Sequence, residues 1–332
     1  MTGRKVLIAI ASAIVVLTAA CQGPGATAPS AATSIATPAA STPPASSAPS
    51  SSPGVALPGR LLFSRFIEST HTFVGSFVSR PDGSGETEVP LPWTEGLGNW
   101  SRSGTEISVP TQLADGRVGT AIIAPDGMVL RVLEISDPTL NLPCGVPWSV
   151  DDARLACQGW DDTDSSRSGI YSVRASDGGE LQQVTSAPEG TTDCPGDYSP
   201  SGQFVFNRWA GDEGPGPLML IDASGSEPRP LTTGSFGDCG RFSPDGSLVL
   251  TSAGGRIVIL DLEGNVTETI ADPDAILFGP TWSPDGTHIA FSRTTGGFFA
   301  DIWTSLPDGS DRQQVTRTPD NEINVHWGAG EG

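Results

Sequence analysis

Short apolar runs separated by turn residues recur along the chain from residue 59 to its end. In the segment 281–293, TWSPDGTHIAFSR, one apolar run ends at Trp282 and a second continues over His288–Phe291. Between them, Ser283-Pro284-Asp285-Gly286 places Pro at the second and Gly at the fourth position of a type I turn, which predicts a β-hairpin. Helical periodicity does not stand out in this region, so the pattern favours an all-β fold.

The hairpin is repeated, and an aromatic residue ends the first run of each copy. Successive aromatics are separated by 48, 50, 44, 40 and 45 residues. These blade aromatics are Trp100, Trp148, Tyr198, Phe242, Trp282 and Trp327. Each repeat also holds a β-rich run that closes on Gly, found six times, and several hold a short run such as RQQVT at 312–316. About four short strands per repeat is the content of one propeller blade, so the chain predicts a six-bladed β-propeller of four-stranded blades.

The two ends of the repeat region predict how the ring closes. Gly59–Phe66 matches the strand that follows a turn, but no aromatic turn motif precedes it. The missing inner strand is found at Ile323–Trp327. We therefore expect the N- and C-terminal strands to pair in one blade and close the ring. The blade aromatics are interpreted as packing between blades, and Asp245 and Asp285 as turn residues.

The combination of WSPDG, a following IAF strand, a strand ending in DG and a QQVT-type run resembles the propeller repeat of the TolB family. Related repeats occur in the propellers of prolyl oligopeptidase-type enzymes. The resemblance covers residues 59–327 and is strongest at Trp282 and Phe242. TolB carries an additional α/β domain before its propeller, so the likeness is to the propeller alone. It implies a propeller that binds a protein partner.

The first 58 residues predict export and anchoring. Residues 1–21 have a basic start at Arg4 and Lys5 and an apolar run over 6–16, which is typical of a signal segment. LTAAC at 17–21 resembles the lipobox of bacterial lipoproteins, which implies lipid attachment at Cys21. The alternative is an ordinary secretory signal with a chance Cys. Residues 22–58 are rich in Ala, Ser, Thr and Pro and carry no charge, so we expect a disordered tether before the domain of 59–332.

Charge excludes two classes of partner. The chain has 18 basic and 38 acidic residues, a net charge of −20, and loses Arg4 and Lys5 with the signal to reach −22. Such a surface argues against nucleic acid and against adsorption to anionic lipid.

The four cysteines after Cys21 predict disulfides, as expected in an exported domain. A turn between Val150 and Asp151 puts Cys144 opposite Cys157 in one hairpin. Cys194 and Cys239 lie shortly before the aromatics of neighbouring blades and form the second predicted pair. The rival arrangement is Cys157–Cys194 with two free thiols.

Candidate site residues are sparse. No G-x-S-x-G nucleophile motif, phosphate loop or metal-ligand spacing of histidines occurs, so the sequence predicts neither catalysis nor a cofactor. Asp162 and Asp164 resemble the start of a calcium loop that lacks the central Gly and the distal Glu. Several ionisable residues stand at similar offsets before the blade aromatics and are expected at one channel mouth, where they would bind a cation or a basic peptide or serve only loop solvation. They are Asp193, Asp238, Asp320, Glu322 and His326.

These observations predict an exported, lipid-anchored monomer that acts as a protein-interaction or ligand-binding module at the cell envelope. One alternative is an enzyme or an enzyme-accessory subunit with an unrecognised site at the channel mouth. Another is a small-molecule or glycan binder.

Overall fold

A computed structural model describes residues 57–67, 70–90, 98–145, 147–210, 214–225, 227–296 and 299–330. The predicted signal with its lipid attachment site Cys21, and the tether up to residue 56, lie outside the described residues. None of the helical structure in the described ranges is long and apolar enough to cross a membrane.

Six antiparallel sheets of four strands each account for the strands of the described chain. Blade 1 consists of β1 (Arg60–Ile67), β2 (Thr72–Ser79), β3 (Thr87–Val89) and β24 (Asn321–Gly328). Blade 2 consists of β4 (Asn99–Trp100), β5 (Ile107–Gln112), β6 (Val118–Ile123) and β7 (Val129–Val132). Blade 3 consists of β8 (Leu140–Asn141), β9 (Arg154–Asp161), β10 (Gly169–Arg174) and β11 (Gln182–Gln183), with a 3-10 turn at Ser165–Arg167.

The second half of the ring repeats this plan. Blade 4 consists of β12 (Thr192–Tyr198), β13 (Phe204–Trp209), β14 (Leu218–Ile221) and β15 (Arg229–Pro230). Blade 5 consists of β16 (Arg241–Phe242), β17 (Val249–Ala253), β18 (Arg256–Leu260) and β19 (Val266–Ile270). Blade 6 consists of β20 (Ile276–Trp282), β21 (Ile289–Thr294), β22 (Asp301–Ser305) and β23 (Gln313–Gln314). The prediction of six four-stranded blades is confirmed.

The turn that joins the first two strands of a blade has the predicted geometry. The N–H of Gly286 donates to the carbonyl oxygen of Ser283 at 2.9 Å, and Gly286 has φ +71°, a conformation that glycine adopts without strain. The Oδ1 atom of Asp285 accepts the N–H of Thr287 at 3.1 Å. The aspartate is therefore a turn residue that bonds its local backbone, as predicted.

The ring closes through blade 1. Strand β1 pairs with β24 in antiparallel register, with Leu61 opposite Trp327 and Leu62 opposite His326. The inner strand of blade 1 thus comes from the C-terminal end of the repeats and its other three strands from the N-terminal end, as predicted.

Six hydrophobic clusters lie between neighbouring blades, one at each interface of the ring, and each includes one blade aromatic. Trp100 packs between blades 1 and 2, and Trp148 between blades 2 and 3. The remaining four are Tyr198 (blades 3 and 4), Phe242 (4 and 5), Trp282 (5 and 6) and Trp327 (6 and 1). Burial of large aromatic surface at every interface holds the blades together.

Two disulfides fix parts of the ring. Cys144–Cys157 joins two segments of blade 3, with Cα atoms 4.1 Å apart, and Cys194–Cys239 joins blade 4 to the segment that enters blade 5, with Cα atoms 5.8 Å apart. The predicted pairing of Cys144 with Cys157 and of Cys194 with Cys239 is therefore confirmed, and the rival Cys157–Cys194 bridge is not formed. Because disulfides persist in oxidising compartments, the bridges indicate an exported protein.

Candidate functional site

A cavity of about 220 Å³ opens at the end of the ring where the inner strands meet the WSPDG-type turns. The residue immediately before each blade aromatic lines it, so every blade contributes at this position. This preceding-residue ring consists of Asn99, Pro147, Asp197, Arg241, Thr281 and His326. Five of the six are polar or ionisable, although the apolar blade aromatics adjoin them in sequence. The blade aromatics also line the cavity, in addition to their packing between blades.

Asp197 is the carboxylate of the cavity, and it accepts three hydrogen bonds. The Arg102 guanidinium, from the turn of blade 2, donates to Oδ1 of Asp197 in blade 4. The same Oδ1 atom accepts the N–H of Tyr198 at 2.9 Å, and Oδ2 accepts the N–H of Phe242 in blade 5 at 3.0 Å. Asp197 is only 4% exposed. It therefore ties three blades together at the cavity.

Arg241 is the second cation of the cavity. Its Nη1 atom donates to the carbonyl oxygen of Gly196 at 3.0 Å, and the described residues place no carboxylate within ion-pair distance of its guanidinium. Arg241 is half-buried, and burial lowers its pKa even though Asp197 and Asp238 lie within electrostatic reach. The cavity thus holds two arginines against one aspartate.

His326 faces the same cavity from blade 1. Its Nδ1 atom accepts the backbone N–H of Trp100 at 3.3 Å, which fixes Nδ1 as the unprotonated nitrogen. Burial, with the nearby Arg241 and Arg102, holds the pKa of His326 well below its ordinary value. The imidazole of His326 is therefore neutral near pH 7 and adds no third positive charge to the cavity. Two permanently charged guanidiniums and a neutral imidazole suit anion binding better than proton transfer.

Apolar side chains form part of the rim of the cavity. The prolines of three WSPDG-type turns, Pro200, Pro244 and Pro284, line it, together with Val150 from the corresponding turn of blade 3. Val150 is 48% exposed. Arg102 holds the corresponding turn position in blade 2, so a ligand at the rim meets this arginine alongside the apolar side chains.

The acidic residues predicted at a channel mouth lie away from this cavity, and only His326 of that set lines it. Asp193 and Glu322 stand near the starts of inner strands whose ends form the cavity, roughly 15 Å along a strand. Asp193 accepts Nε and Nη2 of Arg208 at 2.7 and 2.9 Å, and Glu322 accepts Nε of Arg65 at 2.8 Å. These two carboxylates are thus neutralised by arginines opposite them in the sheet.

The other two predicted carboxylates have separate environments. Burial raises the pKa of Asp238, whose Oδ2 atom accepts the N–H of Gly279 at 3.1 Å. Asp320 is half-exposed, and its backbone N–H donates to the hydroxyl of Thr318 at 3.2 Å. Cation or peptide binding by this acidic set stays a prediction.

The two aspartates of the calcium-like loop point to different partners. Asp164 accepts the N–H of Ser166 at 3.0 Å and caps the 3-10 turn, whereas Asp162 accepts from the Asn141 amide and the Trp160 indole at 3.2 Å each. Across the ranges that the structure describes, no group of three or more His, Cys, Asp or Glu side chains lies close enough to hold a metal ion.

Sequence reasoning missed Arg102, Asp197 and Arg241. A signal for two of them was present, because Asp197 and Arg241 occupy the same place in the repeat as His326, which was identified. Aligning the repeats on the blade aromatics and reading the preceding position would have found this ring.

Comparison with solved structures supports the fold. TolB from Acinetobacter baumannii superposes with a TM-score of 0.60 at 17% identity over 81% of this chain and 66% of that one. A putative TolB from Agrobacterium tumefaciens gives a TM-score of 0.55 at 17% identity over 81% of this chain and 98% of that one. An oligogalacturonate lyase in complex with manganese gives a TM-score of 0.48 at 16% identity over 80% of this chain and 75% of that one.

No protein-family model matches the chain, and no curated protein matches it in sequence. The match to the Acinetobacter protein spans just under two thirds of that longer chain. At these identities the likeness concerns the fold, and the chain is a TolB-like six-bladed propeller.

Proposed function

We propose that this protein is an exported, lipid-anchored binding module of the cell envelope, and that it engages a partner through the cavity at the turn end of its ring. The observation that carries the proposal is the preceding-residue ring, in which every blade contributes a lining residue at the same repeat position to one cavity. Concave sites with an apolar rim and a few convergent polar groups are where proteins bind ligands.

Export and anchoring have separate support. The two disulfides favour an oxidising compartment, and the sequence LTAAC at 17–21 resembles a lipobox. Acyl chains on Cys21 would hold the propeller near a membrane, and the tether of 22–58 would let it reach a partner there. Metabolic labelling with a fatty acid tests this step, because Cys21→Ser is expected to abolish the label and release the protein from membranes.

A photo-crosslinking amino acid at position 150 tests the use of the cavity in living cells. Val150 is 48% exposed at the rim, whereas Val266 on β19 is 57% exposed at the outer edge of blade 5 and serves as the matched control. We expect a discrete adduct from position 150 and none from position 266. Equal adducts from both positions, or an adduct from position 266 alone, would contradict binding at the cavity.

A further inference from the structure

We infer that the cavity binds the carboxylate of a ligand whose adjoining group is apolar, with Arg241 and Arg102 as the residues that hold the carboxylate. This inference rests on the proposed function, because it names the ligand chemistry of the same cavity.

The charged side chains that line the cavity favour an anionic ligand. Arg102, Arg241 and Asp197 are the charged side chains among the lining residues, so the lining itself carries one excess positive charge in a strongly acidic protein. Asp197 pairs with Arg102 and not with Arg241, and three of its roughly four acceptor sites already take Arg102, Tyr198 and Phe242. A bound monoanion would balance the cavity.

The guanidinium of Arg241 has hydrogen-bond donors to offer a ligand. Within the described chain its guanidinium makes a single hydrogen bond, from Nη1 to Gly196 at 3.0 Å, so four of its five N–H groups are available. Partial burial of a cation that has no ion pair is unfavourable, and a carboxylate that accepts two parallel N–H donors offsets that cost. The planar guanidinium matches the planar carboxylate, which makes arginine the preferred residue for this recognition.

The rim defines the rest of the ligand. A carboxylate that reaches Arg241 leaves its adjoining group against Pro200, Pro244, Pro284 and Val150, which are apolar. The cavity of about 220 Å³ has room for a carboxylate and a small apolar group. An organic acid and the C-terminal residue of a polypeptide present this same chemistry.

Ligand-observed saturation-transfer NMR on the purified full chain tests the inference. The probes are N-acetylphenylalanine and N-acetylphenylalaninamide, which differ in the charged carboxylate alone. We expect the acid to bind at least about tenfold more tightly than the amide, since a charge-assisted pair to Arg241 is lost in the amide. Equal binding of the two probes, or no saturation transfer from the acid at millimolar concentration, overturns the inference.

Variants locate the site. Arg241→Gln keeps a donor for Gly196 but removes the charge, and we expect it to weaken binding of the acid about tenfold or more while leaving the amide unchanged. Arg256→Gln, at an exposed arginine on β18, is the control and should bind as the parent does. If Arg241→Gln fails to fold by its thermal transition, Arg102→Gln provides the same test. A folded Arg241→Gln protein that binds the acid as well as the control does overturns the inference.

The source of the carboxylate is decided by a second pair of probes, the peptide Ala-Ala-Ala-Ala-Phe with a free or an amidated C-terminus. Tighter binding of the free peptide than of N-acetylphenylalanine supports a polypeptide C-terminus, and no gain supports a small organic acid. The proposed function is judged independently by the adduct from position 150. If that adduct persists while acid and amide bind alike, the binding module stands and the carboxylate inference fails.

Discussion

Arg102 and Asp197 form an ion pair across the cavity although they belong to blades 2 and 4 of the ring. The backbone N–H of Arg102 also donates to Oδ1 of Asp152, in the turn of the intervening blade 3, at 2.6 Å. Asp197 in turn accepts the N–H of Phe242 in blade 5. This network connects four consecutive blades at one end of the channel.

Asp197→Asn is expected to lower the free energy of unfolding by about 2–3 kcal/mol, because it removes the charge opposite Arg102 and turns an acceptor into a donor beside a backbone N–H. The figure lies below the range for fully buried pairs because the Arg102 side chain is 37% exposed. Urea unfolding measures the loss. Asp222→Asn is the control, since Asp222 faces Arg229 at 3.9 Å on the surface and should cost less than about 0.5 kcal/mol. Similar losses in both variants would contradict a structural role for the network.

The two disulfides should contribute unequally. Cys194–Cys239 spans 45 residues and joins two blades, whereas Cys144–Cys157 spans 13 residues within one. Chain-entropy arguments give about 4 kcal/mol for the longer loop and about 3 kcal/mol for the shorter. We therefore expect the double variant Cys194→Ala, Cys239→Ala to unfold at lower denaturant concentration than Cys144→Ala, Cys157→Ala. The reverse order would show that local packing in blade 3 outweighs loop entropy.

Much of the fold could be predicted because each turn carries its own chemistry. The copy at Trp148 reads SVDD and lacks the glycine of the other turns, yet Asp152 takes the same place with φ +57° and donates its N–H to Ser149 at 3.0 Å. Aspartate tolerates this left-handed conformation better than most residues. The hairpin therefore survives a degenerate motif.

The ion pair at the cavity could not be predicted in the same way, because its two residues belong to different repeats. Arg102 and Asp197 are 95 residues apart, and no local pattern relates them. For the acidic residues, the repeat revealed a shared position but not the partners at that position. Asp193 and Glu322 share an offset in the repeat, but their arginine partners lie on the adjoining strands at positions that only the register defines.

His326 should make stability depend on pH. Because its pKa is lowered in the fold by burial and by Arg241 and Arg102, the unfolded chain binds a proton at higher pH than the folded chain does. The free energy of unfolding is therefore highest above the unfolded pKa of about 6.5. At lower pH it decreases, by up to about 1.4 kcal/mol per pH unit.

His326→Gln is expected to remove this dependence, since Gln keeps an acceptor for the Trp100 N–H and does not titrate. Urea unfolding at about pH 7.5 and about pH 5.5 should show a loss about 1.4 kcal/mol smaller in the variant than in the parent. His288→Gln, at a turn where the ring contacts Thr287 at 2.8 Å, is the control and should keep the parental dependence. Identical pH dependence in parent and His326→Gln would show that the imidazole is not the group responsible.

Trp327 is expected to determine whether the ring stays closed. It is 4% exposed, packs between blades 6 and 1, lies opposite Leu61 where the terminal strands pair, and donates its Nε1–H to Pro58 at 2.8 Å. Trp327→Ala should lower the free energy of unfolding by about 3–5 kcal/mol, measured in guanidinium chloride. Removing the indole leaves a packing void at the interface between blades 6 and 1. Phe299→Ala, at a phenylalanine that is 43% exposed, should change it by less than about 0.5 kcal/mol. Equal, small losses in both variants would show that pairing of the terminal strands holds without this side chain.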